Sequence, residues 1–370
     1  MIRFSAVFLA LFLFVQSECE VIPQLAQWGE KLKTYHPHPA KQYSINLEDN
    51  YLQRWSQIMT ENKQDVLDVV NIAQRLYAPI GCDDLPDSVF EGYDPEFAAE
   101  VEAVAQLLEV PTSHVFWLNV MYEAYTYCTS IVAQDENNFV FHGRNLDYDF
   151  TTPIAKVSYH INYYKDGKVA FRANVLGGFI GFITAEKPGK FSISANQRTS
   201  PNVNKMKLWD RILGRGINYL ELFFNKRSNL LMNVKRVLET AESYQEAIDM
   251  LTNNTTIAPA YYIVSGVKSN EGAVITMGRD GLYDLTTLNV ENGTWFLVQT
   301  NYDRDVPDPK NDNRRTAAEQ KVNAIGRANI TMQNLLDNVL AQYPNFNAIT
   351  ILSATYSSSI DYFNATVWID

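Results

Sequence analysis

The chain has 370 residues, a formal net charge of −11 and a pI near 5.0, and this acidic balance argues against a nucleic-acid-binding protein. Hydrophobic residues make up 46% of it, which allows one large domain or two smaller ones with a sizeable core. The sequence contains no internal repeat and no low-complexity tract.

The N-terminus has the pattern of a secretory signal peptide over residues 1–17. Arg3 supplies the positive charge, and Phe4–Val15 form an apolar run too short to span a bilayer of ~30 Å. Small residues favour cleavage after Ser17, and a signal anchor is the alternative. Five Asn-x-Thr sequons fit a secretory route: Asn253, Asn254, Asn292, Asn329 and Asn364.

The three cysteines are Cys19, Cys82 and Cys128, so at least one is unpaired. Secreted chains usually place cysteines in disulfides, and Cys19 and Cys82 can pair if cleavage follows Ser17. Cys128 is then the candidate reactive thiol, with a buried structural thiol as the alternative.

Residues from about Trp28 to Tyr127 have a mostly helical pattern. Apolar residues recur at helical spacing in Asp65–Tyr77, and Pro95–Val110 opens with Pro and acidic residues, as a helix N-terminus prefers. The run "SHVFWLNVMYEAY" continues as a very apolar, buried helix. The composition changes at Cys128.

Strands dominate after Cys128. "CTSIVAQ" and "NFVFHG" flank a polar turn and predict a hairpin, "KVSYHINYY" and "KVAFRANV" predict a second, and "GGFIGFIT" and "KFSISA" add strands. Helices are predicted across Lys205–Phe224, Asn229–Glu242 and Tyr244–Leu251. Later strands are "AYYIVSG", "GAVITMG", "TWFLVQT", "AITILSAT" and "YFNATVWI", with helices at "RRTAAEQKVNAIGRA" and "MQNLLDNVLAQ". This order predicts an α+β fold with two sheets between helical layers.

No metal or cofactor motif is present: the chain lacks HExxH, CxxC, GxSxG and a glycine-rich phosphate loop. We therefore expect no cofactor. Of the five histidines, only His142 lies near Cys128, and its strand position favours a structural role. His114 opens an apolar helix, and His160 is expected on the polar side of a strand.

A thiol needs a base, because free cysteine has a pKa of about 8.5. The α-amine of the same residue, near 7.7, can serve if the chain is cut before it. That possibility gives a reason for a cysteine to begin a strand where the helical segment ends.

The segment "CTSIVAQD…HGRNLDY" resembles the start of the β-subunit in the acid ceramidase and N-acylethanolamine acid amidase family. "APAYYIVSG…EGAVITMGRDG" and "QTNYDRDVPDPKNDNRRT" resemble later family segments. The resemblance implies an N-terminal-nucleophile amidase with an αββα core, made as a precursor that cuts itself between Tyr127 and Cys128. A helical α-subunit, residues 18–127, and a β-subunit, residues 128–370, would result.

The resemblance also implies site residues and their roles. The Cys128 thiolate would attack a fatty-acyl amide, and its α-amine would move the proton. Asp147 would orient that amine, Asn301 would donate to the oxyanion, and Arg144 would steady the thiolate. Arg314 is a further site position in the family. Its alternative role is that of an ion-pair partner at the start of a helix. The implied partners are an N-acyl lipid and the second subunit of the same precursor, and the implied location is the lysosome or the exterior.

One position departs from the family pattern, which has Asn-Glu-Arg where this chain has Asn196-Gln197-Arg198. A carboxylate that could hold Arg144 has become the amide of Gln197, which we keep among the site positions. Ceramide and N-acylethanolamine both remain open as substrates. The short link from Phe150 to Val157 favours the second, and "APAYYI" favours the first. A silent lipid-binding relative and a structural glycoprotein are the alternatives.

A helical stripe in "KMKLWDRILGRGINYLELFF" predicts contact with an anionic lipid membrane. Its apolar members include Trp209, Leu213, Leu220 and Phe223, and lysines and arginines flank them. The alternative is a helix packed on the sheet.

Overall fold

The computed structural model describes residues 36–77, 94–198 and 227–369. Within these ranges, residues 77 and 120–125 are described by their backbone alone. Its eight α-helices, within these ranges, are α1 (Tyr51–Tyr77), α2 (Pro95–Leu108), α3 (Thr112–Tyr125), α4 (Thr151–Lys156), α5 (Leu230–Thr240), α6 (Tyr244–Asn253), α7 (Arg314–Ile325) and α8 (Met332–Leu335). Two 3₁₀ turns, Val290–Asn292 and Arg327–Asn329, and a π turn, Leu336–Leu340, complete the helical structure of the described residues.

The strands form two sheets. They are β1 (His36–Pro39), β2 (Lys41–Asn46), β3 (Thr126–Gln134), β4 (Val140–Tyr148), β5 (Ser158–Lys165), β6 (Lys168–Leu176), β7 (Thr184–Lys187), β8 (Phe191–Gln197), β9 (Ala260–Ser265), β10 (Gly272–Met277), β11 (Leu282–Thr287), β12 (Phe296–Gln299), β13 (Thr350–Ser357) and β14 (Tyr362–Ile369). The six-stranded sheet has the order β1-β14-β13-β4-β3-β12, and the eight-stranded sheet has β11-β10-β9-β8-β7-β6-β5-β2.

The two sheets face each other, with β3 against β8 and β9, and helices cover their outer faces. Helices α5 and α6 pack on the eight-stranded sheet, and α7 and α8 pack on the six-stranded sheet. Apolar clusters fill both the space between the sheets and the space under α7 and α8. This arrangement confirms the predicted pair of sheets between helical layers.

Helix starts follow from ordinary capping chemistry. The Asp94 carboxylate accepts from the backbone of Glu96 and Phe97, and Pro95 occupies the first turn of α2. Asn229 and Ser243 cap α5 and α6 in the same way. The helices predicted in these segments are therefore present, with ends that differ by one or two residues.

The described part of the segment before Cys128 is mostly helical, as predicted, but it also contains two short strands that were not predicted. Strand β1 pairs with β14, and β2 runs parallel to β5, so the segment supplies an edge strand to each sheet. The signal in β2 was the alternation that buries Tyr43 and Ile45 and exposes their neighbours. The strand β11 was also not predicted, since its side chains are mostly exposed.

The predicted strand "GGFIGFIT" is a turn, and only its last residue, Thr184, belongs to a strand. Gly178 and Gly181 have φ angles of +85° and +104°, which a strand does not allow. At Gly181 an added Cβ would lie 2.5 Å from the Leu231 backbone, so the turn also needs glycine for close packing. A run of apolar residues at β-like spacing does not reveal this conformation.

Strand β5 is present, but both of its faces are covered. His160, expected on a polar face, is buried and lies 4.8 Å from the ring of Phe363. The polar face of β5 is therefore buried at Ser158 and His160 and partly exposed at Asn162 and Tyr164.

Candidate active site

Cys128 is the third residue of β3, and β3 begins at the residue that follows the end of α3. The side chain is fully buried between the sheets. Its Sγ lies 3.9 Å from the carbonyl oxygen of Ala195 on β8. Burial raises the pKa of this thiol above its ordinary value, and Arg144 opposes that effect.

Arg144 crosses from one sheet to the other. It lies on β4 opposite Ser130, and its Nη2 donates to Sγ of Cys128 at 2.8 Å. Nη1 donates to Thr184 Oγ1 at 2.9 Å on β7. The guanidinium is therefore fixed by the sheet opposite to its own, with a charge directed at the sulfur.

Arg314, the first residue of α7, joins most of the other site positions. Its Nη1 donates to the Cys128 carbonyl oxygen at 3.1 Å and to Asp147 Oδ2 at 3.0 Å. Its Nη2 donates to Asn301 Oδ1 at 3.0 Å. The helix-start ion pair is real as well, since Nε and Nη2 each lie 2.8 Å from the Asp312 carboxylate.

Asn301 follows the end of β12 and contacts the backbone of Cys128. Its Oδ1 accepts from the Cys128 amide nitrogen at 2.9 Å, and its Nδ2 donates to the carbonyl oxygen of Gln197 at 2.9 Å. The side chain thus holds the nitrogen of the cysteine rather than its sulfur. The amide group has two hydrogens, so one remains after the bond to Gln197.

Asp147 is a completely buried carboxylate at the end of β4. Its oxygens accept from Arg314, from Thr350 Oγ1 at 2.8 Å and from Asn347 Nδ2 at 3.2 Å. Burial raises the pKa of Asp147, and the Arg314 charge opposes the rise. Asp312 differs: burial would raise its pKa, but Arg314 holds it below the ordinary value.

Gln197 ends β8 and is half-buried. Its backbone carbonyl holds Asn301, so the position belongs to the site whatever its side chain does. Next to it, Asn196 Nδ2 donates to Gln299 and Thr300 carbonyl oxygens at 3.0 and 3.3 Å. Asn196 therefore fixes the chain that leads to Asn301.

His142 is buried with both ring nitrogens engaged by serine hydroxyls, Ser192 at 3.2 Å and Ser194 at 2.9 Å. Burial, with a smaller effect of Arg144, lowers its pKa well below the ordinary value. These contacts agree with the structural role that its strand position favours.

Several residues that complete the site were not predicted. Thr350 and Asn347 hold Asp147, and Asp312 holds Arg314. Only Asp312 had a signal in the sequence, because it stands two residues before Arg314 in the segment that resembles the family. The others come from a distant part of the chain, and only the fold brings them to the site.

The remaining predicted positions lie outside the described residues or at the surface. The signal peptide, Cys19, Cys82 and the stripe with Trp209, Leu213, Leu220 and Phe223 belong to the first group. Of the sequons, Asn254 is half-buried and four are exposed: Asn253, Asn292, Asn329 and Asn364. In the described ranges no helix is long and apolar enough to cross a membrane.

Comparison with known proteins places this geometry in a family. A family model described as linear amide C-N hydrolases, choloylglycine hydrolase family, matches residues 128–333, so its match begins at Cys128. The chain is 30% identical over 372 residues to acid ceramidase of Homo sapiens. This alignment covers 93% of this chain and 91% of that protein.

The chain belongs to the choloylglycine hydrolase family of linear amide C-N hydrolases.

Two further proteins that the chain resembles are N-acylethanolamine-hydrolyzing acid amidases. Over 265 residues the chain is 35% identical to N-acylethanolamine-hydrolyzing acid amidase of Oryctolagus cuniculus, covering 72% of this chain and 70% of that one. The solved structure of a Caenorhabditis elegans N-acylethanolamine-hydrolyzing acid amidase ortholog matches with a TM-score of 0.55 and 32% identity, over 63% of this chain and 93% of that one. The family match and these relatives confirm the resemblance to the acid ceramidase and N-acylethanolamine acid amidase family. They also confirm that the chain is an amide hydrolase with the Ntn-hydrolase αββα fold.

Proposed function

We propose that this amide hydrolase cleaves N-acyl lipids, releasing a fatty acid and an amine, with Cys128 as an N-terminal nucleophile. The observation that carries the proposal is that both reactive atoms of Cys128 are held. Arg144 contacts the sulfur, and Asn301 contacts the nitrogen. The relatives named for ceramide and for N-acylethanolamines support the acyl-lipid substrate.

Maturation would begin with attack of Sγ on the carbonyl carbon of Tyr127. The Tyr127–Cys128 peptide bond breaks, the thiol proton passes to the nitrogen, and a thioester forms. Water then hydrolyses the thioester, which releases the Tyr127 carboxylate and leaves Cys128 with a free thiol and a free α-amine. The Arg314 guanidinium lies 5.9 Å from the Tyr127 ring and binds the Cys128 carbonyl, which supports a fixed geometry at this bond.

Turnover would repeat the chemistry on an acyl amide. The α-amine accepts the thiol proton while Sγ attacks the substrate carbonyl, and it then gives the proton to the leaving amine. Asn301 Oδ1 holds the amine, and its second Nδ2 hydrogen serves the oxyanion. Asp147 acts on the amine through Arg314 and Asn301. Water releases the fatty acid from the thioester.

Two chains, residues 18–127 and 128–370, would remain associated after the cut. Edge strands β1 and β2 support this, because each is paired within a sheet formed mainly by the second chain. Exposure supports glycosylation at the sequons, with Asn253 rather than the half-buried Asn254 at the adjacent pair. The signal-peptide pattern and the exposed sequons support a route through the secretory pathway to the lysosome or the exterior.

A silent lipid-binding relative is not favoured. Arg314 links Cys128, Asp147 and Asn301 in one buried network, and a protein without chemistry has no need for it. The Gln197 substitution that suggests such a relative leaves the backbone contact to Asn301 intact.

The test is release of fatty acid from N-acylethanolamine and ceramide with matched acyl chains at acid pH. Asn301→Ala should lower kcat about 10²–10³-fold. Asn313→Ala is the matched control, because Asn313 is exposed and makes no capping hydrogen bond. Activity on neither substrate from a correctly folded, cleaved protein would overturn the proposal, and the ratio of kcat/KM values would assign the amine.

A further inference from the structure

Four residues from the segments that resemble the family have no part in the proposed chemistry, yet they meet at one place. Arg198 Nε and Nη2 donate to the two oxygens of Asp303 at 2.6 and 2.8 Å. Tyr261 donates its hydroxyl to Asp303 Oδ1 at 2.6 Å. Arg315 Nη1 donates to the Asp303 backbone oxygen at 2.7 Å.

At the centre of this cluster, Arg198 and Asp303 form a buried ion pair with two hydrogen bonds. The side chains of Arg198 and Asp303 are 7% and 3% exposed, and Tyr261 is fully buried. Bidentate pairs of this kind fix direction as well as distance, and loss of one partner leaves the other charge buried. Arg198 also lies over the Tyr283 ring at 4.3 Å, which holds the guanidinium plane.

Three of the four members of the cluster lie within two residues of an active-site residue along the chain. Arg198 follows Gln197, whose carbonyl binds Asn301, and Asp303 lies two residues after Asn301. Arg315 follows Arg314. The ion pair therefore joins the end of β8 to the loop after β12, and Arg315 joins that loop to the start of α7.

We propose that Asp303 is a positioning residue, which sets Asn301 and Arg314 against Cys128 through Arg198, Tyr261 and Arg315. It touches neither the substrate nor the reacting atoms. Without it, the end of β8 and the loop that bears Asn301 are no longer held together, and a displacement of about 1 Å is enough to cost about 10²-fold in rate. The inference rests on the proposed function for its kinetic readout.

The experiment compares Asp303→Asn, Arg198→Lys and Tyr261→Phe with the natural protein. We measure the rate of self-cleavage, kcat, KM and the melting temperature. Asp303→Asn should lower kcat and self-cleavage together by about 10²-fold, with KM nearly unchanged, because Asn301 holds the Cys128 nitrogen that takes part in both reactions. Arg198→Lys keeps the charge and loses the two-point contact. Its kcat and its self-cleavage rate should therefore lie between those of Asp303→Asn and those of the natural protein. Tyr261→Phe removes one hydrogen bond and should cost several-fold.

Asp308→Asn is the matched control. It is the same change on the same loop, at a side chain 8% exposed that lies 3.0 Å from Arg315 Nε, and it leaves the contacts of Arg198 and Tyr261 with Asp303 in place. It should lower the melting temperature without the loss in kcat. An equal loss in kcat would mean that any softening of the loop has this effect, and the special role of Asp303 would be refuted.

A crystal structure of Asp303→Asn separates this inference from the proposed function. The distance from Asn301 Oδ1 to the Cys128 nitrogen, now 2.9 Å, should exceed hydrogen-bond range. An unchanged distance would overturn the inference even if the natural protein hydrolyses no acyl lipid. If Asp303→Asn does not fold, the same measurement on Tyr261→Phe decides, with a lengthening expected and no change counting against it.

Discussion

Arg144 donates a 2.8 Å hydrogen bond to the sulfur of Cys128, and both side chains are completely buried. Burial raises the pKa of the Cys128 thiol, and the Arg144 charge is the largest effect that opposes it. Because thiolate is the nucleophile, this contact increases the amount of the reactive form that is available.

Replacing Arg144 should therefore slow both self-cleavage and hydrolysis. Arg144→Met removes the charge, raises the thiol pKa further and should cost at least about tenfold in self-cleavage rate. Its pH–rate profile should move to higher pH. Arg144→Lys is the control that restores a charge without the planar fork, and it should recover part of the rate. Equal rates for the Met variant and the natural protein would show that the charge does not act on the sulfur.

The stability that Glu186 contributes should decrease as the pH rises from acid to neutral. Burial raises its folded-state pKa from 4.5 to about 7, against the opposing effect of Arg172. The folded protein then keeps a proton that the unfolded chain releases between those values. The stabilisation is complete below about pH 4.5, is lost as the pH rises through about 7, and is on the order of a few kcal/mol.

Glu186→Gln tests this, because glutamine resembles the protonated acid at all pH values. Melting temperatures of the variant should vary less between acid and neutral pH than those of the natural protein. Glu242→Gln is the control, since that side chain is 57% exposed. A Glu186→Gln protein whose melting temperature varies with pH as much as that of the natural protein would contradict the expectation.

Gln197→Glu should leave hydrolysis intact or raise it. The variant restores the carboxylate of the family pattern and keeps the backbone carbonyl that binds Asn301. Fatty-acid release at acid pH measures the effect, with Gln197→Ala showing what the side chain contributes. A large loss in Gln197→Glu would mean that this site has been rebuilt around a neutral group.

The stripe in Lys205–Phe224 should bind anionic vesicles at acid pH, and less so in high salt. Trp209→Ala with Phe223→Ala should weaken co-sedimentation and slow turnover of vesicle-borne substrate, yet spare a short soluble amide. Equal losses on both substrates, together with a lower melting temperature, would show that the stripe is core.

Local patterns sufficed for most of the fold, because the helices carry apolar residues at helical spacing and the central strands are short buried runs between polar turns. They failed where tertiary contacts decide. The glycine turn before Thr184 has strand-like composition, and β1 is exposed and gains its partner from the far end of the chain. Within the candidate site, family spacing predicted Cys128, Arg144, Asp147, Asn301 and Arg314, and the structure brings these five residues into contact.

Asn347 and Thr350 could not be predicted, because their role depends on β13 pairing with β4 beside Asp147. The orientation of Asn301, with its oxygen toward the Cys128 nitrogen, is likewise a property of the folded chain.

Intact mass, measured before and after acidification of the secreted protein with its N-glycans removed, tests the account most directly. The natural chain should divide into residues 18–127 and 128–370, with cysteine as the first residue of the second. Cys128→Ala should remain a single chain and hydrolyse nothing. A Cys128→Ala protein that divides at the same bond would show that an outside protease makes the cut, and it would contradict the role assigned to the thiol.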